Sequence, residues 1–173
     1  MGLNYKELLR NVKAFVFDVD GVFSNNVYLH PSGELMRTMN IKDGFAVQYA
    51  IKKGYKIAII TGGNSEAVRV RFANLGLTDI YLKSSDKLVD FNDFLQRYDL
   101  QPADILYMGD DLPDYPIMKL VGVPTCPGDA VEEIKSISLY ISHKTGGEGC
   151  VRDVIEQTLR VQDQWMHPES FSW

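Results

Sequence analysis

The sequence predicts an α/β protein: a three-layer sandwich around a mainly parallel sheet. Three observations lead there. Short apolar runs recur at Ala14–Phe17, Ile57–Ile60 and Ile105–Met108, apolar on both faces as buried parallel strands are. Amphipathic stretches of helical spacing separate them, and strand–helix alternation of this kind builds a sheet covered by helices. Each run also stops at a polar, glycine-containing segment: Asp18-Val19-Asp20-Gly21, Thr61-Gly62-Gly63-Asn64 and Gly109-Asp110-Asp111. The carboxyl ends of parallel strands share one edge, which is where such sheets bind ligands.

Taken in order, Tyr5 to Asn11 forms a short opening helix ahead of the first strand. Asn26 to Met39 makes a β-hairpin that turns at His30-Pro31-Ser32-Gly33. Gly44 to Lys53 is a helix whose apolar side chains are Phe45, Val47, Ala50 and Ile51. Asn64 or Ser65 caps a helix reaching about Leu75, and Gly76 stops it. Ile80 to Leu82 is a strand and Asp86 to Tyr98 an amphipathic helix, while Pro113 suits a first helical turn. Val121–Thr125, Ala130–Ile134, Leu139–Ile141 and Cys150–Val161 complete the alternation. Neither the interval from Asp20 to Thr61 nor that from Thr61 to Lys87 has room for a folded cap, which needs roughly 50 residues. The expectation is one domain over 1–173, with the hairpin at about 26–39 and a C-terminal tail at about 162–173.

Composition narrows the classes. A chain of 173 residues with 45% hydrophobic and 24% charged residues fits one soluble globule with a sizeable core. The net charge of −5 argues against a general nucleic-acid binder. The sequence has neither a bilayer-length apolar run nor a secretory start, so no membrane partner is expected. Cys126 and Cys150 lack metal-ligand spacing, and reduced thiols fit a cytoplasmic protein.

The strand ends carry the chemistry. Period two points Asp18 and Asp20 to one side, and two close carboxylates call for a cation, a shared proton or solvent. Thr61 precedes glycine amides, and Lys87 opens a helix, where its charge opposes the helix dipole. Asp110, Asp111 and Asp114 add further acids. Together these are parts for holding and transferring a phosphoryl group.

In this order, Asp18-Val19-Asp20-Gly21-Val22, Thr61-Gly62, Lys87 and Gly109-Asp110-Asp111 with Asp114 resemble the haloacid dehalogenase superfamily, whose core is Rossmann-like. The missing cap, the Asp43-Gly44 element and the tail Gly146-Gly147-Glu148-Gly149-Cys150-Val151-Arg152-Asp153 narrow this. Over nearly its whole length the chain is similar to the 3-deoxy-D-manno-octulosonate 8-phosphate phosphatases. The resemblance implies hydrolysis of a phosphorylated eight-carbon sugar acid in lipopolysaccharide precursor synthesis, with Mg²⁺. It implies Asp18 as nucleophile, Asp20 as general acid and base, and Thr61 and Lys87 against the phosphoryl group. Mg²⁺ would be held by Asp18, the Asp20 main-chain carbonyl and Asp110, with Asp111 orienting a bound water. Substrate contacts would come from Asp43, Gly44, Gly62 and Arg71. A homotetramer assembled through the hairpin, each site completed by a neighbour's C-terminal segment, is implied as well. On this reading, deletion from Gly146 onward impairs turnover more than folding.

Two departures stand out. Members often carry arginine after Thr-Gly, where this chain has Gly63, and arginine and alanine at the positions of Glu148 and Cys150. Nonulosonate 9-phosphate phosphatases, which tolerate a Gly-Gly-Glu-Gly tail, are the alternative within the class. Outside it stand a phosphoacceptor signalling module, which orders its acids differently along the strands, and a catalytically idle subunit.

Overall fold

The computed structural model describes residues 4–171, Glu169 by its backbone alone. Six parallel strands form the sheet: β1 (Ala14–Phe17), β4 (Lys56–Ile60), β5 (Asp79–Tyr81), β6 (Ile105–Met108), β7 (Val123–Cys126) and β8 (Tyr140–Ile141). Their order is β5-β4-β1-β6-β7-β8, so β1 lies between strands that come later in the chain. The chain runs from β1 outward to β4 and β5, then crosses back to β6 on the other side of β1, and a crevice opens at its carboxyl end. A separate antiparallel pair, β2 (Val27–Leu29) with β3 (Leu35–Arg37), is the expected hairpin.

The period of two along β1 divides the core. Phe15 and Phe17 point into one apolar cluster, Ala14 and Val16 into the other. The first cluster is covered by α1 (Tyr5–Leu8), α2 (Ile41–Lys52), α3 (Glu66–Asn74) and α7 (Cys150–Val161). The second lies under α4 (Lys87–Tyr98), α5 (Tyr115–Met118) and α6 (Glu132–Ile137). This is the three-layer sandwich, with no cap over the strand ends among the described residues.

Several boundaries differ from the sequence reading for local reasons. Helix α2 starts at Ile41, because the Asn40 side chain accepts the Lys42 N–H and caps the helix ahead of Gly44. Strand β5 begins one residue earlier than expected. Strand β7 and helix α6 each begin two residues later than read. Pro113 lies in a 3₁₀ turn over Leu112–Asp114 that leads into α5.

The C-terminal region corrects one expectation. Helix α7 lies along α2 and buries Cys150, Val151, Val154, Ile155 and Leu159. Gly147 N–H donates to the Val22 carbonyl, and the Cys150 thiol lies 3.2 Å from that same oxygen. Deletion from Gly146 onward therefore strips one side of the core and acts on folding first. Beyond α7, Gln162 Nε2 donates to the carbonyls of Leu9 and Val12. Trp165 sits edge-on to Tyr49, with the guanidinium groups of Arg152 and Arg160 over its ring. The tail thus docks on its own chain at least to this point.

Candidate active site

The crevice at the end of β1 is a cleft of about 510 Å³ lined by Asp18, Asp20, Thr61, Gly62, Gly63, Ser84, Ser85, Asp86, Lys87 and Pro113. Asp18 stands immediately after β1, where its N–H still pairs with the Met108 carbonyl. Its Oδ1 accepts the Val19 N–H at 2.7 Å, and its Oδ2 lies 3.0 Å from Lys87 Nζ. The chain then turns: Phe23 and Ser24 N–H both reach the Val19 carbonyl, and Gly21 carries φ +90°. Glycine is required there twice over. That φ is strained for other residues, and a Cβ would fall 1.9 Å from Asp110 Oδ2.

Lys87 is the first residue of α4, whose cap is the Asp86 carboxylate accepting the Leu88 N–H. Its ammonium bridges Asp18 and Asp114, the latter at 2.8 Å. Burial opposes the charge on Lys87, but the two carboxylates more than offset it and raise its pKa. Asp114 is fully engaged: Oδ1 also accepts the Tyr107 hydroxyl at 2.6 Å, and Oδ2 accepts the Asp110 N–H at 3.0 Å. Burial, then the charge of Asp114, pushes Asp18 up to about 8 against the pull of Lys87. The same two causes, in the same order, push Asp110 up to about 7.

Carboxylate oxygens of Asp18, Asp110 and Asp114 come within 4.8 Å of one another. Asp114 is committed to Lys87, Tyr107 and the backbone, which leaves Asp18 and Asp110 short of positive charge. Two hard oxygen donors held in that state suit a Mg²⁺ ion that keeps several waters. Asp111, expected at the metal, is exposed and spends Oδ1 on the Leu112 N–H as a cap for the 3₁₀ turn. Asp114 takes the third place in the carboxylate group instead.

On the other wall, Asp20 is gripped by Arg37 of the hairpin, Nε at 2.5 Å and Nη2 at 2.9 Å. Thr61 is buried, with Oγ1 accepting the Gly63 N–H, and Lys83 and Ser84 N–H groups bind the carbonyls of Gly63 and Thr61. Gly63, where the resemblance leads one to expect arginine, borders the Arg37 guanidinium. The Ser84 hydroxyl is buried at the cleft with no hydrogen-bond partner among the described residues.

The remaining expected substrate contacts lie apart from the cleft. Asp43 is wholly buried, and its Oδ1 accepts the Arg152 N–H at 2.7 Å at the start of α7. Burial pushes Asp43 up to about 6, while the N–H groups of Arg152 and Gly149 hold it down. Gly44 lies behind Arg71, whose Nη2 would be 2.6 Å from a Cβ at that position. Arg71 itself lines a neighbouring groove of about 390 Å³ under the hairpin, with Leu35, Met36 and Arg37.

Arg37, Tyr107 and Ser84 carry no motif of their own. The parity of β3, which places Arg37 on the same face as Leu35, was the available signal for the first. Tyr107 lies inside an apolar run where a phenol reads as core.

A cleft with paired aspartates after β1, a lysine on a later helix and acids after β6 defines a phosphoryl-transfer hydrolase. The family model of haloacid dehalogenase-like hydrolases matches residues 27–122. A 3-deoxy-D-manno-octulosonate 8-phosphate phosphatase KdsC from Salmonella typhi is 35% identical over 153 residues, covering 88% of this chain and 81% of that protein. The crystal structure of the Yersinia pestis phosphatase of that name superposes with a TM-score of 0.91 at 33% identity, over 95% of this chain and 89% of the other. That of the Moraxella catarrhalis phosphatase, in complex with a magnesium ion, a phosphate ion and a KDO molecule, gives 0.90 at 30% identity over 95% of each chain. The chain belongs to the haloacid dehalogenase-like hydrolases and, within them, to the 3-deoxy-D-manno-octulosonate 8-phosphate phosphatase family.

Proposed function

We propose that the chain hydrolyses 3-deoxy-D-manno-octulosonate 8-phosphate to the free sugar acid and phosphate. The observation that carries this is the buried Asp18 beside Lys87, facing Asp20 across one open cleft. Similarity to phosphatases of that name over most of the chain supplies the substrate.

Asp18 attacks phosphorus and forms an aspartyl-phosphate as the sugar oxygen departs. Asp20 gives its proton to that oxygen, then takes one from the water that cleaves the intermediate. Lys87, the Thr61 hydroxyl and the Gly62 amide bear on the phosphoryl oxygens, and the Ser84 hydroxyl is free to donate to them. Asp18, Asp110 and the Asp20 main-chain carbonyl would hold Mg²⁺, which supplies positive charge against the transferring group. Asp114 fixes Lys87 rather than the metal. Arg71, in the groove next to the cleft, is the cation for the sugar acid's far end, and Gly44 gives it room.

The hairpin is the assembly surface in this reading. Val27, Tyr28, Leu29, Leu35 and Met36 are exposed on it, and a lone two-stranded hairpin gains little stability in water. Burial of those side chains in a homotetramer, with a neighbour completing the open mouth, accounts for them. No helix among the described residues is long and apolar enough to cross a membrane.

The deciding experiment is phosphate release, with Mg²⁺, from the eight-carbon acid phosphate beside a nonulosonate 9-phosphate and simple sugar phosphates. A strong preference for the eight-carbon acid is expected. Preference for the nine-carbon acid, or indifference among all, would overturn the reading.

A further inference from the structure

Arg37 ends strand β3 on a hairpin whose other side chains are largely exposed, yet its own side chain is 7% exposed. It is buried because it folds back onto Asp20. Nε and Nη2 address the two oxygens of one carboxylate, the forked arrangement in which arginine fixes direction as well as distance. Nη1 donates to the Leu35 carbonyl at 3.0 Å, so the guanidinium plane is anchored from behind as well. Gly63 completes the seat. A Cβ there would lie 3.2 Å from Arg37 Nη2 and 3.4 Å from both Asp20 Oδ2 and Thr61 Oγ1. A side chain at 63 would crowd the arginine first and come into contact with the carboxylate it holds and the threonine beside them.

We propose that Arg37 is a positioning residue for Asp20, reaching the site from the hairpin, and that Gly63 is the vacancy admitting it. This rests on the assignment of Asp20 to the leaving oxygen. The Asp20 side chain is 39% exposed and stands on a turn, so without a partner it would explore several rotamers. Proton transfer tolerates little misplacement of the donor. As the acid, Asp20 keeps one oxygen on the guanidinium and turns the other, carrying the proton, to the leaving oxygen; the anchor on the Leu35 carbonyl limits its remaining freedom. The hairpin then belongs to the catalytic geometry even though its strands contribute nothing else to the cleft.

The test compares kcat/KM for wild type, Arg37→Ala and Arg37→Lys, with Mg²⁺, on three phosphates. These are the sugar acid phosphate, glucose 6-phosphate (an alkyl ester without a carboxylate) and p-nitrophenyl phosphate, whose leaving group needs no proton. Arg37→Ala is expected to lose about 10- to 100-fold on both alkyl esters and less than about threefold on the aryl ester. Arg37→Lys should recover part of the alkyl loss, and both variants should melt close to wild type. Gly63→Val should reproduce the alkyl-selective loss; wild-type kinetics in it would overturn the role given to Gly63. An equal loss on all three esters, or no loss, would overturn the role of Arg37. A loss confined to the sugar acid would also overturn it, because the arginine would then be reading the carboxylate. If wild type spares the sugar acid phosphate but the alkyl–aryl contrast holds on the other two, the substrate assignment fails and the positioning role stands.

Discussion

The two aspartates of the Asp18–Asp20 pair each meet a cation, but in different settings. Asp18 meets Lys87 inside the protein, where Asp114, itself held by Tyr107, fixes the lysine from behind and its charge raises the pKa values of Asp18 and Asp110. Asp20 meets Arg37 at the rim, across a hairpin that is mostly exposed. The inner pair is built from strand ends and a helix start, so its geometry is as rigid as the sheet. The outer pair depends on a hairpin that forms its own two-stranded sheet, separate from the main one. In the proposed mechanism, phosphoryl chemistry then rests on the sheet and helix ends, while the positioning of the leaving-group acid rests on the hairpin.

That contrast breaks most sharply at Asp18. Asp18→Asn should reduce turnover by at least about 10⁴-fold while leaving fold and assembly intact, as steady-state kinetics and light scattering would report. Turnover near wild type in the variant would remove the nucleophilic role from Asp18. Lys87→Ala should cost about a hundredfold or more in kcat. It should also destabilise the fold by about 3 kcal/mol, because it strands Asp114 and Asp18 in the interior without their cation. Denaturant midpoints test the second figure; a change below about 1 kcal/mol would mean the buried pair contributes little.

Metal and pH probe the same inner pair. Asp18 and Asp110 sit above their ordinary value of 3.8 in the folded chain, at about 8 and about 7. Their folded pKa values are raised, so the stability they favour is present at low pH and is lost as pH climbs towards 7 and 8. In EDTA the melting temperature should therefore fall from pH 6 to 8, and Mg²⁺ at pH 8 should restore it. Asp43, raised to about 6, adds a fall between pH 4 and 6 that Mg²⁺ leaves unchanged and Asp43→Asn flattens. Melting curves with and without Mg²⁺ separate the two. The smallest effect belongs to Asp111: Asp111→Ala removes a turn cap and should cost about 1 kcal/mol, with a far smaller kinetic penalty than Asp114→Asn. The reverse order in kcat would return Asp111 to the metal.

The sequence made the strand-end residues legible because their chemistry is local. An apolar run followed by acids and glycine states both the strand and what it delivers, and Asp18, Asp20, Thr61, Lys87 and Asp110 all meet in or beside one crevice. Sequence spacing could not say what lies behind them. Tyr107 reaches Asp114 from within a buried strand, and Arg37 crosses 17 residues to Asp20. Asp43 is a similar case: the resemblance implies a substrate contact, and the partner the fold gives it is an N–H at residue 152, which comes into reach only when α7 lies on α2. Asp111 and Asp114 separate on a 3₁₀ turn whose pitch decides which carboxylate turns inward, and helix periodicity alone does not carry that.

The docked tail gives the molecule an optical signal of its own. Of the two tryptophans in the chain, Trp165 is pressed between the Tyr49 ring and two guanidinium groups. Lifting the tail away would move that indole into water and shift its emission to longer wavelength. In a Trp173→Phe background the fluorescence of one residue would follow tail undocking in real time, apart from any loss of the sheet.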